Sequence, residues 1–201
     1  MPRVTHQLDP QFAALDLALL QDAALSTCRA FNATYACMRV QQIKTRVLHL
    51  RDQQVESWRD HRDLGVGVRV VVDGAWGFAA TSSLTPEAVR RAARRACELA
   101  QRCAGLPGPR VQIAEEPVAR GTHISSYAVD PFDVPVAQMV DVLRDRAGLM
   151  QGLDHTSVSL ECAKETVFLA DLAGAEIRQQ RGRLYPVYTG VRITADGFDD
   201  M

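Results

Sequence analysis

Apolar residues along this chain alternate between helical and extended spacing, and each switch marks an element. Asp9-Pro10 supplies an N-cap and a proline at the first helical position. Phe12, Leu15, Leu19 and Ala23, with Leu20 beside them, then predict one helix through about Cys28, closed by Asn32. Extended segments follow at 35–40, 43–50 and 54–58, the second with charges mixed into its apolar positions. The clearest stretch is 65–81, GVGVRVVVDGAWGFAAT. Its Asp73-Gly74 pair sits between two β-favouring runs, which is a strong hairpin signal because a tight primed turn needs positive φ at its centre. Thr85-Pro86-Glu87 opens a second helix to about Cys103, with Leu84 and Val89 placed for a hydrophobic staple. Its stripe of Val89, Ala92, Ala93, Ala96, Ala100 and Cys103 is mostly alanine, small enough for close packing against a sheet.

Glycines and prolines in 104–110 (AGLPGPR) mark a linker, and 111–134 reads as loop. A third helix is predicted from about Pro135 to Met150, then three or four antiparallel strands with tight glycine turns. The expected fold is α+β in two domains. In residues 1–105 a helix, an antiparallel meander and a helix follow one another; residues 106–201 hold a helix and β-hairpins.

Composition narrows the classes of function. Of 201 residues, 47% are hydrophobic and 23% charged, with a formal net charge of −1, so no whole-molecule field recommends nucleic acid or an acidic membrane. No apolar run approaches the ~20 residues that span a bilayer. The start, MPRVTHQLDP, lacks the apolar core of a secretory signal, so the expected location is cytoplasmic. Five irregularly spaced cysteines (Cys28, Cys37, Cys97, Cys103, Cys162) read as buried reduced thiols.

Candidate chemistry is sparse. His6, His49, His61, His123 and His155 are scattered, with no pair one helical turn apart to meet a zinc ion. Gly65 and Gly67 lack a third glycine at Val70 and precede a strand, so they form no phosphate loop; they read as permitting a bulge or close strand approach. Trp76 and Phe78 flank Gly77 and so share one face of the hairpin. Large aromatics favour a core role there; the sharper reading is a groove wall in which Gly77 admits a peptide backbone. Arg90, Arg91, Arg94 and Arg95 form a basic cluster opposite the alanine stripe, a solvated face or else a contact with a partner subunit.

The order Gly-x-Gly-Val-Arg-Val, Asp-Gly-x-Trp-Gly-Phe-Ala-x-Thr, then a Thr-Pro-Glu helix start resembles the TldD/PmbA family, once called modulators of DNA gyrase. The Trp-Gly-Phe-Ala wording is closer to the TldD branch. GAEIRQQ and YPVYTGVRITADGF, within 174–198, are similar to strands of its middle domain. The resemblance implies the N-terminal and middle domains of a cytoplasmic zinc metallopeptidase subunit acting on peptides or unfolded proteins. It also implies a dimer, with itself or with a paralogue, enclosing a peptide-admitting cavity. The family's His-Glu-x-x-x-His element lies downstream of the matched region, so no zinc ligand or catalytic residue transfers onto this chain. Zinc is expected in the full-length family protein, and neither nucleic acid nor membrane as a partner. A stand-alone, non-enzymatic peptide-binding or regulatory paralogue is the alternative.

Overall fold

A computed structural model describes residues 7–200; His6 lies outside the described residues. The fold is α+β, with every helix on one side of a seven-stranded sheet. The first helical stretch is two helices, α1 (Pro10–Ala13) and α2 (Leu17–Ala30). Asp16 restarts the helix by accepting the Leu19 N–H at 3.1 Å, so the apolar period that runs through residues 12–20 conceals a break.

The meander is longer and simpler than the sequence suggests. β1 (Tyr35–Arg51) absorbs two expected strands, and β2 (Gln54–Val72) absorbs the charged run between two more. β3 (Ala75–Thr81) follows the Asp73-Gly74 turn, where φ is 51° and 74°, the expected primed geometry. α3 (Pro86–Ala104) starts at Thr85, whose hydroxyl accepts the Ala88 N–H.

Within 111–134, read as loop, β4 (Arg120–Ile124) forms a short strand parallel to the later β6. α4 (Val136–Ala147) leads into β5 (His155–Asp171), β6 (Glu176–Thr194) and β7 (Gly197–Asp200). The sheet order is β3-β2-β1-β5-β6-β4, with β7 also on β6, and all pairings but β4·β6 are antiparallel. β1 and β5 pair from Cys37↔Asp171 to Arg51↔Ser157, so one sheet runs through both halves of the chain. β4 and β7 occupy the outer edge of β6 at 176–180 and 191–194, leaving 181–190 unpaired on that side.

Two apolar clusters lie under the helices. α2 and α3 cover Ala36, Met38, Val40, Val66, Val68, Val70 and Phe168; α4 covers Leu48, Leu50, Val158 and Cys162. Between them, Gln42, Lys44, Arg46, Lys164, Thr166 and Gln180 face the same side and form a polar seam. Asp9 Oδ2 accepts from Lys44 Nζ at 2.6 Å and lies 3.6 Å from Lys164 Nζ, which also bonds Asp130. Arg46 grips Asp60 with two 2.8 Å hydrogen bonds and donates to the Pro131 and Val134 carbonyls, fixing the approach to α4. Such charges stay buried only because each is paired. Burial disfavours the Lys164 ammonium, yet the Asp130 hydrogen bond and the charges of Asp130 and Asp9 hold its pKa above the ordinary value. Cys28, Cys97 and Cys162 are buried free thiols, whereas Cys103, placed on the α3 stripe by its spacing, is exposed. No helix of the described residues is long and apolar enough to cross a membrane.

Candidate functional site

Strand alternation sends odd-numbered residues of β1 away from the helices, and among the described residues no helix packs on that face. Register sets a lattice of side chains there. One row crosses the sheet as Asp63, Ile43, Glu165 and Arg181; the next as Gly65, Gln41, Val167 and Gln179; the third as Ala80, Gly67, Arg39, Leu169 and Ile177. Arg69, Cys37 and Asp171 complete the front, with Phe78 opposite Arg69. These rows form an open groove of about 730 Å³, lined by Cys37, Arg39, Ile43, Gly67, Phe78 and Leu169 among others.

The glycines explain its shape. A Cβ on Gly67 would stand 3.1 Å from the Phe78 ring, so glycine leaves that ring a place to lie across β2. The ladder is regular at Gly65–Gly67, so no bulge is involved. Trp76 and Phe78 are 42% and 55% exposed and belong to neither apolar cluster; both stand on the groove face. Trp76 meets Tyr35 edge-on at 5.7 Å and carries the Arg69 guanidinium at 5.8 Å. Gly77 points the other way. A Cβ there would come within 1.9 Å of the Ala96 carbonyl oxygen, so its lack of a side chain serves the close approach of α3 rather than of a peptide.

Burial raises the pKa of the Cys37 thiol, and burial aided by Cys37 pushes the Tyr35 hydroxyl up to about 12. Both stay protonated near neutral pH, so the groove offers hydrogen-bonding groups and no thiolate nucleophile. At the β5–β6 rim, Glu165 Oε1 accepts from Arg39 Nη2 at 3.0 Å and Gln41 Nε2 at 2.7 Å. Its Oε2 lies 3.8 Å from Arg181 and 3.7 Å from Arg183. Sequence reading missed this cluster, because Arg39 and Glu165 are 126 residues apart and meet only through the β1–β5 register.

Arg90, Arg91, Arg94 and Arg95 are exposed on α3, on the opposite side of the molecule. Arg90 pairs with Glu87 at 3.4 Å, and the others border a shallow depression of about 360 Å³ with Glu98, Leu99 and Arg102. The structure therefore does not bring the two expected site groups together. Nor do the histidines converge: His61 pairs with Asp63 at 2.9 Å and His155 with Asp52 at 3.1 Å. Among the described residues no group of three or more His, Cys, Asp and Glu side chains could hold a metal ion, so these residues do not fit the family's zinc.

Helices on one side and a bare, grooved sheet on the other define an open-faced two-layer α+β protein. Residues 38–100 match the family profile of PmbA/TldA metallopeptidase domain 1. Over that stretch the chain is similar to the first domain of the TldD/PmbA family. No curated protein matches the sequence. Among solved structures, the fold is similar to that of a candidate modulator of DNA gyrase from Bacteroides thetaiotaomicron, at a TM-score of 0.73 and 12% identity over 90% of this chain. A candidate modulator from Thermotoga maritima gives 0.66 and 12% over 92%, and TldE from Thermococcus kodakarensis 0.63 and 14% over 90%. The chain spans 42% of the length of each of these three.

Proposed function

We propose that this chain is the front part of a cytoplasmic TldD-type zinc metallopeptidase subunit, and that its bare sheet face forms a wall of the space receiving peptides or unfolded segments. The observation that carries the reading is the groove itself. Its volume falls within the ~300–1,000 Å³ usual for ligand sites, and its apolar floor and exposed aromatics suit extended chains of varied sequence. The matched first domain supplies the family context. On this reading the zinc and the hydrolytic residues belong to the family's downstream domain, and Arg91, Arg94 and Arg95 meet a paralogous or identical subunit. A stand-alone regulatory paralogue is the second reading, and the lack of a metal-ligand group among the described residues fits both.

The test extends the chain with whatever coding sequence follows Met201 and follows turnover of an unfolded peptide. The expected extension contains His-Glu-x-x-x-His, binds stoichiometric zinc and loses activity to a chelator, whereas the 201-residue chain alone holds no stoichiometric zinc and cleaves nothing. A stop codon after Met201, or an extension lacking the motif, moves the assignment to the regulatory paralogue. Hydrolysis by the 201-residue chain would overturn both.

A further inference from the structure

The groove face has a chemically distinct end. Phe78 lines the groove on its β3 side, with Trp76 beside it on the same strand; Arg39, also on the lining, reaches Glu165, around which Arg181 and Arg183 stand beyond the groove on β6. Three guanidiniums face one carboxylate, and Glu165 already accepts hydrogen bonds from Arg39 and Gln41. Arg181 and Arg183 stand beyond hydrogen-bonding distance of it, make no side-chain hydrogen bond among the described residues, and leave 47% and 66% of their side chains exposed. The cluster keeps unspent donors and an excess of positive charge. On the same row, Asp63 occupies β2 and holds His61, so negative charge sits away from the arginines. Four strand steps of ~4.8 Å separate β3 from β6, and the Phe78–Cys37 row lies about six residues along the strands from the Ile43–Arg181 row. Phe78 and Arg181 thus stand roughly 28 Å apart, which an extended peptide spans with about eight residues.

We infer that the groove face selects extended peptides by a carboxylate set about eight residues from an apolar stretch. The apolar residues lie on Phe78 and Trp76, and the carboxylate lies between Arg181 and Arg183. A guanidinium fork matches a carboxylate with paired N–H donors, which suits Arg better than a point charge. An acidic side chain and a chain terminus share this chemistry. The inference rests on the peptide-groove reading above and adds a preference to it.

Fluorescence anisotropy on the 201-residue chain separates the two. The probes are N-terminally labelled octapeptides, apolar at their first three positions. One ends in an amidated glutamate, one in an amidated glutamine and one in glutamine with a free carboxylate. Two partly exposed ion pairs give an expected preference of about fivefold for the glutamate peptide over the amidated glutamine peptide at low salt, shrinking as salt rises. A gain for the free-carboxylate peptide as well assigns the site to chain termini; a gain for glutamate alone assigns it to acidic side chains. Arg181→Gln with Arg183→Gln, both on the exposed rim, should abolish the preference while leaving the glutamine peptide's affinity unchanged. Phe78→Ala should weaken all three peptides together. Equal binding of the three, still sensitive to Phe78→Ala, overturns the carboxylate preference and leaves the groove. No binding, or binding indifferent to Phe78→Ala, removes the groove reading itself.

Discussion

Asp9 uses one carboxylate for two tasks. Oδ1 accepts the Gln11 N–H and caps α1, while Oδ2 receives Lys44 inside the polar seam. Burial works to raise its pKa, but the Lys44 hydrogen bond and the charges of Lys44 and Lys164 take it down to about 2. The unfolded carboxyl titrates near the model-peptide value of ~3.9, so the folded protein binds this proton less readily than the unfolded chain. The stabilisation is therefore complete above that range and disappears as pH falls through about 2. Asp9→Asn keeps the cap and removes the charge. Urea unfolding should show it about 2 kcal/mol less stable at pH 7, with the difference closing as pH approaches 2; a gap independent of pH would mean that packing, not charge, is at stake. The cap was legible in the sequence. The second task was not, because Lys44 and Lys164 reach Asp9 only once β1 and β5 pair.

At the scale of elements, the sequence conveyed type well and extent poorly. The α3 stripe as far as Ala100, the Thr85 cap and the Asp73-Gly74 hairpin stand where local patterning puts them. β1 looked interrupted because Gln42, Lys44 and Arg46 break its apolar alternation, yet these are the seam residues and face inward with partners. β4 escaped notice because only Ile124 of its five residues is even half-buried. Trp76-Gly77-Phe78 shows the limit of alternation: it assigns the two aromatics to one face without saying which face the helices cover. Gly77→Ala tests the answer. The added methyl group must push α3 off β3, so chemical denaturation should register a loss of about 1–3 kcal/mol. Gly121→Ala is the control, since a Cβ there meets nothing within 4 Å, and it should change stability by less than about 0.5 kcal/mol.

For the whole molecule, the sheet is continuous while its helical cover is divided. β1 and β5 each carry residues of both apolar clusters, joined by the seam, so rupture at one end strips partners from the other. The two tryptophans mark the two ends. Trp76 stands over the front, and Trp58 pairs with Leu48 beside the α4 cluster. Single-tryptophan variants, Trp58→Phe and Trp76→Phe, should report the same urea midpoint by fluorescence once each variant's own stability shift is subtracted. Separate midpoints would show two units unfolding independently along shared strands. The linker composition at 104–110 and the continuous β1–β5 ladder point in opposite directions on this question, and only the ladder involves contacts far apart in sequence.

The unpaired stretch of β6 between β4 and β7 has one more consequence. Glu176 sends its N–H, and Gln180 its carbonyl, toward that edge, so by alternation the even-numbered positions point outward. Pro186 is among them, in the middle of Leu184-Tyr185-Pro186-Val187-Tyr188. An open edge bearing two tyrosines, a leucine and a valine would otherwise template chain-to-chain stacking. A ring where a donor should be, with Arg181 and Arg183 a few residues before it, interrupts that template. The charge of this rim and the missing donor thus act together against strand addition along the open edge.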